Sequence, residues 1–401
     1  MTVAKEYKER LLSLIKEKAP KAWALNYELA KHPEISSHEF ESVKRIGALC
    51  EAQGLPVTYE FAGLPTAFKA EAIRVENPQG RLAILCEYDA LPGLGHACGH
   101  SASGSISVLA GLALHQLAQE KGLNMDVDII GTPDEEATGC KVDMTNQGIF
   151  KDYDFAIMVH MDGTITRPTS DFLALDCFRI RYYGKPAHAA GEPWNGVNAA
   201  NAVQLAIHAL DMMRQQCRPE TRIGTWISNE GTASNIISEF AEFELTIRHA
   251  ERAYLNQLSE QCKKIFEGAA LCTGTRVEYE FYGNPYDNMN NIEEGMHLIE
   301  EVMTDLNIPF TPGMDPAGGS SDIGNVSYQC PAYHPILRLE GEDKVCHTKE
   351  LADAMLDPRI EGTIEKGASI IALTILSLME HPEQLEVIKT KFQESINDSI
   401  K

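Results

Sequence analysis

Arg81-Leu-Ala-Ile-Leu-Cys-Glu87 is a short, almost continuous apolar run that stops abruptly at Tyr88-Asp89 and a Pro-Gly loop. Val127–Thr132 (VDIIGT) repeats the pattern and stops at Pro133-Asp134-Glu135-Glu136. Phe155–His160 (FAIMVH) repeats it again and stops at His160. Between the first two runs, about Ser103–Lys121 reads as a helix. Strand, helix, strand with near-continuous apolar strands predicts a mostly parallel sheet covered on both faces. Ligands of such sheets gather at the carboxyl ends of the strands, and all three runs end in ionisable residues.

Working outward, Met1–Lys31 reads as one or two helices with Pro20 as the interruption. A helix over Ser37–Gln53 carries Phe40, Val43, Ile46 and Leu49 at helical spacing. From about Cys177 the texture changes. Alternating strands (Phe178–Tyr183, Arg222–Ser228, Glu242–Arg248, Arg276–Tyr282) and helices (Asn198–Gln216, Ala253–Leu271) follow in the order βαββαβ, the ferredoxin-like arrangement. A helix at Ile292–Leu306, a strand at Pro335–Leu339 and a helix at Pro358–Met379 resume the first texture. The expectation is an α/β protein with a discontinuous catalytic domain, 1–176 and 287–401, and an inserted α+β domain, 177–286.

The 401 residues carry 35 Lys and Arg against 58 Asp and Glu, a net charge of −23. That field repels phosphate backbones and anionic lipid, so neither nucleic acid nor a membrane is an expected partner. Apolar runs such as Ala368–Leu378 fall short of the ~20 residues of a bilayer helix. Met1–Lys21 is charged throughout and has no apolar core of a signal peptide, so a cytoplasmic location is expected, with the ten cysteines as free thiols.

Chemistry concentrates in Gly93-Leu-Gly-His-Ala-Cys-Gly-His100. Cys98 and His100, one glycine apart, can reach one metal from a tight loop, and thiolate and imidazole are zinc-type ligands. A glycine loop with incidental histidines would read the same. Asp134-Glu135-Glu136 sets three carboxylates together, a repulsive arrangement unless cations or catalysis compensate; a solvated acidic loop is the plain alternative. His160 and His347, each taken alone, are equally compatible with structural roles. As a set, Cys98, His100, Glu136, His160 and His347 suit two cations about 3.5–4 Å apart sharing a water, which leaves Glu135 as general base. The rivals are a cysteine amidase using Cys98, a structural zinc protein, and a non-catalytic partner subunit.

Glu87-Tyr-Asp-Ala-Leu-Pro92…His96-Ala-Cys-Gly-His100 resembles the metal-binding segment of the M20 peptidase/amidohydrolase family, in its aminoacylase-1-like 2 branch (subfamily D). Pro133–Glu136 resembles the family's paired glutamates. Gly184-Lys-Pro-Ala-His188-Ala-Ala190, followed by Pro193-Trp194, Gly196 and Asn198, is similar to its lid motif. Gly319-Ser320-Ser321-Asp322…Gly324-Asn-Val-Ser327 and His347 are similar to its C-terminal motifs. The resemblance implies a zinc-peptidase-like α/β/α catalytic domain with a lid that also dimerises, giving a homodimer or tetramer. It implies two divalent ions per subunit, Zn2+ or Mn2+, and hydrolysis of the amide bond of a dipeptide, an N-acyl amino acid or an aminobenzoyl-glutamate-like compound. It further implies that His188 acts in the partner's active site, and that Asn235 and Arg248, with Gly319 and Ser320, hold the substrate. The bridging ligand stays open between Asp89, Cys98 and Glu136; we read Asp89 as orienting a ligand. One departure is Ser101, where many members of the branch carry Asp or Asn after Cys-Gly-His.

Overall fold

The computed structural model describes residues 3–315 and 318–399. The chain divides into two compact units, Met1–Asp171 with Met289–Gly318 and Asp322–Lys401, and Phe172–Asn288 with Gly319–Ser321.

In the first unit the three apolar runs become strands Arg81–Cys86, Asp126–Gly131 and Phe155–Ile157. The first pairs in parallel with both others, and Ala332–Tyr333 adds in parallel beyond Phe155–Ile157. Leu82, Ala83, Ile84, Leu85 and Cys86 are all fully buried, so both sheet faces are covered. Two further strands, Val57–Tyr59 and Phe68–Ile73, extend the other edge in antiparallel fashion and make the sheet mixed. Helix His100–Lys121 packs on this sheet and on helices Lys5–Lys31 and Ile360–Glu380. It begins just after Gly99, whose φ of 88° only glycine adopts readily.

Three local expectations change. Pro20 lies inside one unbroken helix, Lys5–Lys31, where Ala19 and Ala22 are buried against the core. The run FAIMVH is broken after Ile157; His160–Asp162 leaves the main sheet and pairs in parallel with Ile336–Arg338. His160 therefore opens a second short strand instead of closing the first. Helix Ile360–Glu380 is long and apolar enough to cross a bilayer by length and composition, unlike the shorter run read from sequence. It is spent in the core, with Ile370, Ile371 and Ala372 fully buried.

The second unit is a four-stranded antiparallel sheet in the order Arg276–Phe281, Ala174–Tyr183, Phe240–His249, Arg222–Asn229, with helices Ala199–Met213 and Arg252–Thr273. Alternation does the sorting. Phe178, Ile180, Tyr182, Phe243, Leu245 and Ile247 face the helices, against Val203, Leu210, Leu255 and Phe266. The opposite face carries cross-strand ion pairs, Arg179–Glu244 and Arg181–Glu242, each at 2.8 Å.

One packing contact bears directly on the site. A Cβ on Gly104 would lie 2.5 Å from the Glu87 carbonyl oxygen. Helix and strand end therefore meet through a bare backbone. Gly104→Ala is expected to lower stability by about 1–3 kcal/mol from overpacking, less ~1 kcal/mol of gained helix propensity. A urea midpoint at or above that of the parent would show that the helix shifts freely.

Candidate metal centre

The strand ends and the Gly93–His100 loop bring the predicted residues together. Four clusters, each with donor atoms within 4.8 Å of one another, can be drawn: Cys98–His100–His160, Cys98–Glu136–His347, His100–Glu135–Glu136, and Glu87–His160–His334. The first two share Cys98 and together contain all five predicted ligands.

Local hydrogen bonds set the ring tautomers. His100 Nδ1 donates to Asp89 Oδ1 at 2.8 Å, which turns the Nε2 lone pair inward. His160 Nδ1 donates to the Met161 carbonyl at 2.6 Å, leaving Nε2 3.7 Å from Cys98 Sγ. Asp89 is saturated: its Oδ2 accepts from Ser36 Oγ (2.8 Å) and Glu136 N (3.0 Å). It thus fixes both His100 and the acidic loop. His347 sits at φ 62° with its N–H on the Ala97 carbonyl at 2.8 Å, and its Nε2 is 3.6 Å from Glu136 Oε1. Asp134 is also left-handed, at φ 63°. Both left-handed non-glycine residues lie beside the cluster.

Several buried donor atoms here have no hydrogen-bond partner: His100 Nε2, Glu87 Oε2 and Glu136 Oε1. Orphaned acceptors in a dry interior are costly unless a cation satisfies them. The donor set of thiolate, imidazoles and carboxylates fits divalent metals. Ser101 Oγ, at the departure noted above, is buried and also unpartnered.

The titration pattern follows the crowding. Burial pushes the Glu135 carboxyl well above the usual range, and Glu87, Asp322 and Glu136 add to it. Burial opposes charge on His100, but Asp89 and Cys98 outweigh it and raise its pKa. Burial likewise pushes the Cys98 thiol up, against the pull of His100. All these shifts describe the cluster without cations; a bound metal inverts them and deprotonates a coordinating thiol.

Sequence reasoning passed over several residues here. Glu87, Lys141 and Asp322 form a fully buried ion group, with Lys141 Nζ 2.6 Å from both Glu87 Oε1 and Asp322 Oδ1. His334 stacks on His160 with centroids 5.1 Å apart.

The remaining predicted residues lie in the second unit. His188 is exposed, and its Nδ1 accepts from Ala190 N (3.2 Å) and Gly191 N (3.0 Å), which leaves Nε2–H as a free donor. Asn235 is its neighbour, its carbonyl accepting from Ala189 N at 3.0 Å. Arg248 pairs across the sheet with Arg222, and both line a cavity of about 340 Å³ with Arg214 and Thr246. Gly319 O accepts from Leu173 N at 2.8 Å, and Ser320 Oγ is shielded without a partner.

Comparison with known proteins agrees with this architecture. The sequence pattern of peptidase family M20/M25/M40 matches residues 83–377. The chain is 32% identical to the Xaa-Arg dipeptidase of Mus musculus over 96% of this chain and 92% of that protein. It is 31% identical to one of the p-aminobenzoyl-glutamate hydrolase subunits of Escherichia coli K12 over 62% of this chain and 55% of that one. Among solved structures, a putative aminohydrolase from methicillin-resistant Staphylococcus aureus superposes with a TM-score of 0.77, at 21% identity, over 93% of this chain and all of that one. A dinuclear metal-binding M20 peptidase from Bacillus subtilis gives 0.66, at 19% identity, over 90% and 99%. The chain belongs to peptidase family M20/M25/M40 and is a hydrolase of C–N bonds.

Proposed function

We propose that the protein is a di-metal amidohydrolase or dipeptidase that cleaves the amide bond of a small substrate: a dipeptide, an N-acyl amino acid or an aminobenzoyl-glutamate-like compound. The observation that carries this reading is the pair of three-residue clusters sharing Cys98. Cys98, His100, Glu136, His160 and His347 would together hold the two cations. Asp89 holds His100 in the right tautomer. Relatives named as a dipeptidase and as a hydrolase of an aminobenzoyl amide support the substrate class.

The two cations, Zn2+ or Mn2+, would supply Lewis acidity and lower the pKa of a shared water towards ~7. Glu135 takes the proton from that water and delivers it to the leaving nitrogen. Its raised pKa without cations and its place among ligands suit a group that must both accept and return a proton. His188 donates its Nε2–H to the developing oxyanion. Asn235 and Arg248, with Gly319 and Ser320, receive the substrate's polar end, the Arg248 guanidinium suiting a carboxylate. We place the reaction in the cytoplasm, because a thiolate ligand such as Cys98 is favoured by reducing surroundings.

The test is a hydrolysis screen over dipeptides, N-acyl amino acids and aminobenzoyl-glutamate, with each metal restored after chelation. No turnover on any of them under saturating metal would favour the non-catalytic or partner-subunit role.

Two-fold assembly through the second unit is part of the proposal, with His188 serving the neighbouring protomer. It makes a distinctive prediction. Glu135→Gln and His188→Ala are each inactive as pure proteins. Mixed as equal amounts and allowed to exchange, half the dimers become mixed, and each of those has one intact site. Activity should return to roughly a quarter of the parent value by this symmetry arithmetic. A mixture as dead as its components would show that His188 serves its own chain or none.

A further inference from the structure

Glu87 follows the Arg81–Cys86 strand and is completely buried. Its two carboxylate oxygens have different fates. Oε1 accepts from Lys141 Nζ at 2.6 Å. Lys141 is itself wholly buried and also donates to Asp322 Oδ1 at 2.6 Å, while its backbone N–H meets Asp322 Oδ2 at 3.0 Å. One ammonium thus clamps two carboxylates. Oε2 has no hydrogen-bond partner and lies 3.4 Å from His100 Nε2, which has none either. The proton on His100 Nδ1 is already committed to Asp89. The two atoms make a buried imidazole–carboxylate contact in a place that water does not reach. Such a pair is stable only around a cation, whether a proton or a metal. Glu87 also falls within 4.8 Å of the donor atoms of His160 and His334.

We propose that Glu87 is a further metal ligand, binding through Oε2 the cation held by His100 and His160, and that Lys141 is the residue that positions it. The proposal rests on the di-metal reading above. Lys141 does two things for Glu87. By occupying Oε1 it leaves a single oxygen facing the site. Its charge, shared with Asp322, lets a carboxylate exist in this interior at all; removing one partner of a buried ion group strands the others. Asp322, held by both its oxygens on Lys141, serves as the far anchor of the clamp.

The experiment uses the full chain stripped with a chelator and titrated with Co2+, read by calorimetry and by the visible absorption of the bound ion. The parent protein should take up two ions. Glu87→Gln keeps shape and removes charge; it should weaken one of the two sites at least 10–100-fold and change the Co2+ spectrum. Glu87→Asp keeps charge but withdraws the oxygen, and should fall between; it also serves if the glutamine variant fails to fold. Lys141→Met should weaken the same site, and Lys141→Arg should restore part of the loss. A Glu87→Gln protein that binds two Co2+ with the parent's affinities overturns the proposal. So does weakened binding with an unchanged spectrum, because that describes a residue acting through another ligand. If the parent itself binds fewer than two ions, the di-metal reading fails, and that result is separate from either outcome at Glu87.

Discussion

Glu135→Gln is expected to retain two metal ions per chain and to lose turnover by roughly 10²–10⁴-fold, the range set by general base catalysis. The substitution is isosteric and leaves every proposed ligand untouched. His100, Glu135 and Glu136 form one cluster, yet Glu136 alone also joins Cys98 and His347. The proposal gives the two adjacent glutamates separate roles: Glu136 as a ligand and Glu135 as the group that moves the proton. Because the effect is on a proton transfer, kcat should fall while KM stays within a few-fold. Residual activity should also lose the acidic limb of its pH profile, since the titrating base is gone. Elemental analysis and steady-state kinetics on one preparation decide it. Turnover near the parent value removes Glu135 from the mechanism. A parallel loss of metal makes it a ligand. The contrast with a cysteine amidase is sharp, since that mechanism needs a thiolate and one base and assigns Glu135 nothing.

What the sequence revealed and what it concealed have the same physical basis. The strand ends were legible because Leu82–Cys86 and Phe155–Ile157, and all of Val127–Ile130 but the ion-paired Asp128, are apolar on both faces, so an ionisable residue at the end of such a run stands out. The Cys98-Gly99-His100 loop was legible because its spacing is itself the chemistry. Lys141 was not. Its partners, Glu87 and Asp322, lie 54 and 181 positions away, and nothing nearby distinguishes a buried ammonium from a surface one. His334 stacks on a residue 174 positions earlier, a contact created by parallel pairing of two short strands. The break after Ile157 was hidden because Met158 and Val159 are as apolar and buried as the strand before them. Phe68–Ile73 was missed for the opposite reason. Lys69 and Glu71, which pair with each other, make it alternate, so it lacks the continuous apolar run that marks the parallel strands.

Removing the metals is expected to abolish activity completely and to change how stability depends on pH. Without cations, Glu87 and Asp322 clamp the buried Lys141 ammonium, with Glu135 close by. Burial and neighbouring carboxylates push Glu135 well above its ordinary range; burial pushes Asp322 up to about 6, against the pull of Lys141. A carboxyl whose folded pKa is raised binds more protons folded than unfolded. Its contribution to stability is complete below the unfolded value, near 4, and is lost as pH rises through the folded value. These two groups should therefore cost the stripped protein stability from about pH 4 to above pH 6, while His96, His160 and His334, whose pKa values burial lowers, act in the opposite sense below about pH 6.5. Metal reverses the sign, because ligands must shed protons to bind and affinity grows with pH. At ~1,000 times the dissociation constant, the loaded protein gains about 4 kcal/mol over the stripped one. Glu39 supplies an internal control. Its carboxyl is pushed up to about 7, by burial first and Asp89 second, so part of its slope should persist in both forms and disappear in Glu39→Gln. Denaturation midpoints of stripped and reloaded protein across pH 4–8, with activity measured alongside, test the whole account. If chelated protein verified free of metal still turns over, or if the two stability profiles coincide, the carboxylates at these strand ends are not a metal centre.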